Sequence, residues 1–255
     1  MRVMFPFLAV CFLSACGPPP APFDTSGYGI IGGEAVKPRS EVAKHVVFIK
    51  LATERGEGNC TGVMTGANSI LTAAHCTLGL KAAEIIFAAD LTHSNDAFER
   101  LVDQFFVTTG YRPLLEKLAA SPKPNSIKNW GDLAIFTFSG EAPKGYLPVP
   151  LGDGELHNGE TVIIAGYGLT NAKAIQDPTV LRKAEVQVKK ANYSQTEFVV
   201  TEGACYGDSG GPAFVRRGGQ LHLAGITSRG LKGNCKGGAI YTQVAPFAEW
   251  IEKPN

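Results

Sequence analysis

Three short stretches of the chain carry residue types suited to hydrolytic chemistry. Thr72-Ala73-Ala74-His75-Cys76 offers an imidazole. Gly131-Asp132-Leu133-Ala134-Ile135 offers a carboxylate, and Gly207-Asp208-Ser209-Gly210-Gly211-Pro212 offers a hydroxyl among glycines. A serine hydroxyl is a poor nucleophile near neutral pH. A neighbouring imidazole can take its proton, and a buried carboxylate can hold the imidazole in the accepting tautomer and stabilise the imidazolium. The three types occur in the order His, Asp, Ser, far apart in the chain, so only a folded chain could assemble them. Single histidines are usually structural or solvated, and His45, His93, His157 and His222 are read that way.

The elements that must position these residues read as short strands. His45 to Leu51 is an apolar, β-branched run, and similar runs are Glu84 to Ala88, Gln104 to Thr108 and Leu133 to Phe138. Thr161 to Ala165, Glu197 to Thr201, Gly211 to Val215, Leu221 to Ile226 and Ala239 to Val244 continue the series. Many short strands without βα alternation indicate a barrel or sandwich. Leu114 to Ala120 and Ala245 to Lys253 read as helical. With 30 glycines, 16 prolines, 44% hydrophobic residues and 18% charged residues, the chain is neither disordered nor a long helical bundle. Its net charge of +1 gives no bulk attraction for nucleic acid. Gly207-x-Ser209-x-Gly211 also fits the nucleophile turn of α/β-hydrolases, which places acid and histidine after the serine. After Ser209 the chain has one histidine, no aspartate, and only Glu249 and Glu252 as acids, so this reading is set aside.

These motifs, with Gly166-Tyr167-Gly168, closely resemble those of the trypsin/chymotrypsin family of serine endopeptidases. The resemblance runs from Ile30 to about Lys253. It implies an all-β fold of two packed six-stranded antiparallel β-barrels, about 30–145 and 146–255, with a short C-terminal helix and the site between them. It implies His75 as general base, Asp132 as its orienter and Ser209 as nucleophile, with the Gly207 and Ser209 N–H groups as oxyanion hole. Ser228 matches the serine that supports the buried aspartate. A protein or peptide is the implied substrate, and the expected reaction needs neither cofactor nor metal. The competing reading is a catalytically silent relative acting as a surface binding lipoprotein. Such relatives usually lose a triad residue, and all three are present here.

The N-terminus reads as an address. Met1-Arg2 is cationic, Val3 to Phe12 is nearly all apolar, and Leu13-Ser14-Ala15-Cys16 resembles a bacterial lipobox. A ten-residue apolar core is too short to span a bilayer, so 1–15 is expected to be a signal peptide and Cys16 the lipidated residue. Gly17 after that cysteine suggests the outer membrane, and 16–29 reads as a proline-rich tether. The expectation is an exported monomer, at the outer membrane or in the periplasm, with release to the medium on activation. Cys11 leaves with the signal, so Cys60, Cys76, Cys205 and Cys235 remain, with three possible connectivities. The family pattern implies Cys60–Cys76 and Cys205–Cys235. A zinc site would be the other use of four cysteines, but the CxxC spacing is absent.

Ile30-Ile31-Gly32-Gly33 matches the family's mature N-terminus, whose freed amino group pairs with the aspartate beside the nucleophile, here Asp208. Gly29 stands where a basic residue usually precedes the cut, so an activating protease without trypsin-like preference is expected. That cut would also release the enzyme from its anchor. For specificity, Gly203 takes the pocket-floor position, followed by Ala204, with Gly230 and Ala239 as walls. No carboxylate occupies the floor, so an apolar residue before the scissile bond is expected. Glu202 lies one position away, and a local shift aiming it inward would restore a basic preference. Arg229 replaces the tryptophan that usually lines the next subsites. The connection Tyr111 to Asn129 is longer than usual for the family.

Overall fold

The computed structural model describes residues 30–92, 97–111, 128–129, 131–169, 180–232 and 234–255. Signal segment, Cys16, tether, His93 and the helical run Leu114 to Ala120 lie outside the described residues.

Among the described residues, fourteen strands form two seven-stranded antiparallel sheets. The two-residue strand β1 (Glu34–Ala35) joins the second sheet. The first sheet contains β2 (Val46–Thr53), β3 (Gly56–Gly66), β4 (Ser69–Thr72), β5 (Leu80–Phe87), β6 (Phe98–Leu101), β7 (Gln104–Val107) and β8 (Ala134–Thr137). Its order is β6-β5-β2-β3-β4-β8-β7, a curled half-barrel. The second contains β9 (Thr161–Gly166), β10 (Arg182–Lys190), β11 (Glu197–Val200), β12 (Pro212–Arg217), β13 (Gln220–Gly230) and β14 (Ala239–Gln243). Here β9 pairs with both β12 and β10, so six strands close into a ring and β1 lies on its outside. The all-β expectation holds, with one closed six-stranded barrel rather than two.

Alternation of side chains sets the inner faces. In β10, Val186 and Val188 are buried while Glu185, Gln187 and Lys189 face outward. Val46 to Ile49 in β2 are buried on both faces, because the sheet is covered by its own curl and by the other half. The contact between the halves is apolar and aromatic. Phe48 meets the Tyr167 ring edge-on at 5.4 Å. The buried Tyr167 hydroxyl donates to the Ala88 carbonyl at 2.6 Å, so its polar end is satisfied across the interface. The expected C-terminal helix forms as a 3-10 turn, Ala245–Phe247, running into helix Ala248–Glu252. Its one fully covered side chain, Ile251, packs into the core shared by both halves.

Candidate active site

His75 sits in a one-turn 3-10 helix, Ala74–Thr77, that follows β4. Two devices hold that turn. A disulfide joins Cys76 to Cys60 on β3, and the Thr77 hydroxyl caps the Ala74 carbonyl at 2.8 Å. Asp132 arrives from the other side, just before β8. The preceding Gly131 carbonyl accepts from Leu133 N–H at 2.7 Å and from the Thr108 hydroxyl. Both β4 and β8 are neighbours in the first sheet, which is why residues so distant in sequence meet.

Asp132 is fully buried and both its oxygens are hydrogen-bonded. Oδ1 accepts from the His75 backbone N–H at 2.9 Å. Oδ2 faces His75 Nδ1 at 2.8 Å and accepts from the Ser228 hydroxyl at 2.7 Å. Burial alone would raise the Asp132 pKa, but the charge and hydrogen bonds of His75, with Ser228, hold the carboxyl below its ordinary value. Burial likewise pulls His75 down, and Asp132's charge and hydrogen bond outweigh it, so the imidazole lies above its ordinary value. Arg229 opposes that rise. The ring's Nδ1 is thus committed to Asp132, which leaves Nε2 for a substrate-side proton.

Ser209 comes from the closed barrel, on the loop entering β12. The loop is pinned from both halves. The Thr61 N–H donates to the Ser209 carbonyl at 2.8 Å, and the Thr61 hydroxyl to the Gly207 carbonyl at 3.0 Å. Gly210 N–H donates to the Thr227 carbonyl at 2.9 Å, and Thr227 N–H returns a bond to Gly211 at 2.8 Å. Gly210 has φ +81°, and a Cβ there would overlap Thr72 Oγ1 and the Thr61 carbonyl. Only glycine lets the Ser209 loop lie this close to the histidine-bearing sheet. Among the described residues, neither the Gly207 nor the Ser209 N–H is taken by a backbone acceptor. No hydrogen bond among the described residues joins Ser209 Oγ to His75. Such bonds are often long without substrate and tighten when it binds.

His75 and Ser209 line one cavity of about 390 Å³ with Ala204, Ser228 and Gly230. A disulfide links Cys205 to Cys235 at its rim. Of the remaining positions read as pocket, Gly203 and Ala239 are buried beside the cavity and do not line it. The open face of Gly203 is directed at Ile164 and Ile30. Glu202 is exposed and is not part of the lining either. Sequence reading missed Tyr206, Thr227 and Lys232, which do line it. It also missed Glu197, which is buried against Arg229. A glutamate opening the otherwise apolar run Glu197 to Val200 was the available signal. The Sγ atoms of Cys60 and Cys76 lie near the His75 ring, but both sulfurs are bonded to each other and offer no thiolate to a metal.

Asp208 does not line the cavity; it turns into the closed barrel and is fully buried. Its Oδ1 accepts from Gly168 N–H and Oδ2 from Cys205 N–H, both at 2.8 Å. The Ile30 N–H also bonds to it. Gly168 leaves the room for this: a Cβ there would stand 2.5 Å from the carboxyl. Burial pushes Asp208 up to about 7, although these three N–H groups pull it back. Ile30 is itself fully buried, and Ile31 N–H ties it to the Gly203 carbonyl at 2.6 Å.

The chain is 29% identical to granzyme A of Bos taurus, covering 99% of this chain and 98% of that protein. It is 29% identical to a trypsin of Saccharopolyspora erythraea, covering 86% and 94%. Among solved structures it is similar to human heparin binding protein, at 22% identity and TM-score 0.69, covering 89% and 98%, a likeness of fold alone. The Trypsin family model matches residues 30–251. The chain belongs to the trypsin family of chymotrypsin-like serine proteases.

Proposed function

We propose that the chain is an exported serine endopeptidase acting through an acyl-enzyme. Ser209 attacks the scissile carbonyl, His75 takes its proton and later delivers it to the leaving amine, and Asp132 holds the imidazole. The N–H groups of Gly207 and Ser209 receive the developing oxyanion, an interaction worth about 2.7–4 kcal/mol per donor in comparable sites. The observation that carries this reading is the buried, fully bonded Asp132 at 2.8 Å from His75 Nδ1, beside a cavity that Ser209 shares. Two disulfides suit an oxidising compartment outside the cytoplasm. Residues 1–15 serve as signal peptide and 16–29 as lipidated tether through Cys16. Cleavage before Ile30 by another protease then yields a released, monomeric enzyme of residues 30–255.

The test is covalent. A fluorophosphonate probe added to the chain begun at Ile30 should label one residue, and peptide mapping should place it at Ser209. Absence of labelling in both the intact and the shortened chain would leave the silent binding lipoprotein as the reading.

An apolar residue before the scissile bond fits the cavity. Ala204 and Gly230 leave space, and the charged side chains lining it, Arg229 and Lys232, are cations. A Lys or Arg side chain would enter without a carboxylate partner, and burying such a charge is unfavourable. Chromogenic peptides ending in Phe, Leu or Ala should be cleaved at least about tenfold faster than the Arg peptide. Faster cleavage after Arg would mean that Glu202 turns inward.

A further inference from the structure

Behind the triad lies a buried ion pair. Glu197, at the start of β11, is fully covered, and Arg229, on β13, is nearly so. Their atoms meet at 2.6 Å. Glu197 Oε2 also accepts from the Ser194 hydroxyl at 2.8 Å and from the Asn129 N–H at 3.1 Å. A buried carboxylate and guanidinium are tolerable only with such bonding. Arg229 Nη1 reaches further and donates to Ser228 Oγ at 3.2 Å. Ser228 Oγ in turn lies 2.7 Å from Asp132 Oδ2. A continuous chain therefore runs Glu197, Arg229, Ser228, Asp132, His75.

The direction of that chain follows from donor inventory. A serine hydroxyl has one proton and two lone pairs, and a guanidinium can only donate. Arg229 occupies a lone pair of Ser228, so the single Ser228 proton is committed to Asp132. The geometry assigns Arg229, clamped by Glu197, as a positioning residue that fixes the Ser228 hydroxyl as a donor to Asp132 and sets a cation behind the general base. Glu197 acts on the same triad by a second route, because Asn129 lies three residues before Asp132. This rests on the proteolytic reading of the site.

The charged and titratable groups around His75 are Asp132, which favours its protonated form, and Arg229, which opposes it. The buried Tyr111 phenol faces Asp132, and Lys232 lines the shared cavity. Removing the Arg229 cation should therefore move His75 titration to higher pH. The measurement is NMR titration of the His75 ring in the intact chain, identified by its loss in His75→Gln, with turnover followed in the form that is active.

Arg229→Met should raise the His75 titration and lower kcat about tenfold on a substrate filling only the primary pocket, with KM little changed. In a Ser228→Ala background the same substitution should still move the titration but barely change kcat. Arg229→Lys keeps the cation but loses the rigid planar Nη1 that donates to both Glu197 and Ser228. It should leave the titration in place and lower kcat several-fold, and it serves if Arg229→Met does not fold. An unmoved titration in Arg229→Met, or wild-type kcat in Arg229→Lys, overturns the proposal while wild-type turnover keeps the protease reading. A wild-type chain with neither turnover nor Ser209 labelling overturns the protease reading and with it the catalytic role given to Arg229.

Discussion

Replacing Ser209 with Ala should lower kcat by about 10⁶-fold, and replacing Asp132 with Asn by about 10⁴-fold. The first removes the nucleophile and leaves little to unfold, because Ser209 is held through its backbone: Thr61 N–H binds its carbonyl. The second is a change of tautomer. Asp132 accepts the His75 backbone N–H through Oδ1 and faces Nδ1 through Oδ2. An asparagine has one oxygen. If it stays on the backbone side, its NH₂ faces Nδ1, which must then present a lone pair, and the ring proton moves to Nε2. That nitrogen can no longer accept the Ser209 proton. If the amide flips, its NH₂ meets the His75 backbone N–H, donor against donor. Turnover corrected by active-site titration, with circular dichroism showing an intact fold, measures both. An Asp132→Asn enzyme within tenfold of wild type would mean that Asp132 does not orient the base.

The parts of this site legible in sequence are those carried by local chemistry. His75, Asp132 and Ser209 stand in short stretches whose neighbours have backbone tasks of their own, such as Gly210 making room against Thr72. Apolar runs such as Thr161 to Ala165 were legible because successive residues from Val162 on are buried, and a strand covered on both faces reads as a continuous apolar run. Strands with other compositions were not. In β10, charged residues alternate with only two inward valines, and β3 is full of glycine and polar residues. Their strand state comes from pairing with neighbours, which no local signal reports. The Glu197–Arg229 pair is illegible for the same reason. Glu197 heads an apolar run and Arg229 stands at a subsite position, but neither names the other as its partner, and only the meeting of β11 and β13 through β14 buries them together. Gly203 shows the reverse: its motif position was clear, while its open face turned out to point at Ile164 and Ile30.

That contact leads to the second large effect, which concerns the intact chain. Ile30 is already seated beside Asp208, but as a peptide N–H without charge. It is also strained: a β-branched residue at φ +32° lies outside the regions such side chains favour. A cut before Ile30 abolishes that torsion and turns the same nitrogen into an ammonium against a buried carboxylate. Burial holds Asp208 up to about 7 in the intact chain, against an unfolded value near 4. Between those values the folded chain binds more protons than the unfolded one, so its stability falls as pH rises from about 4 through about 7. The difference should reach a few kcal/mol, read as the change in denaturation midpoint between pH 5 and pH 8. Asp208→Asn should remove that slope, and the chain begun at Ile30 should largely lack it.

The intact chain should, on this reading, be silent. Asp132's charge and hydrogen bond hold His75 above its ordinary value, so raising the pH is what frees it as a base. In that range Asp208 is ionised without a charged partner, and the seated Ile30 is least stable. Acid pH settles Asp208 but protonates the base. The intact chain would then meet its two requirements at opposite ends of the scale, and an ammonium at Ile30 would let them coincide. Cleavage should raise kcat/KM at pH 8 by roughly 10² to 10³, the range for completing a buried charge pair. Equal activity of the intact and shortened chains at that pH would show that Asp208 needs no cation to order the nucleophile loop.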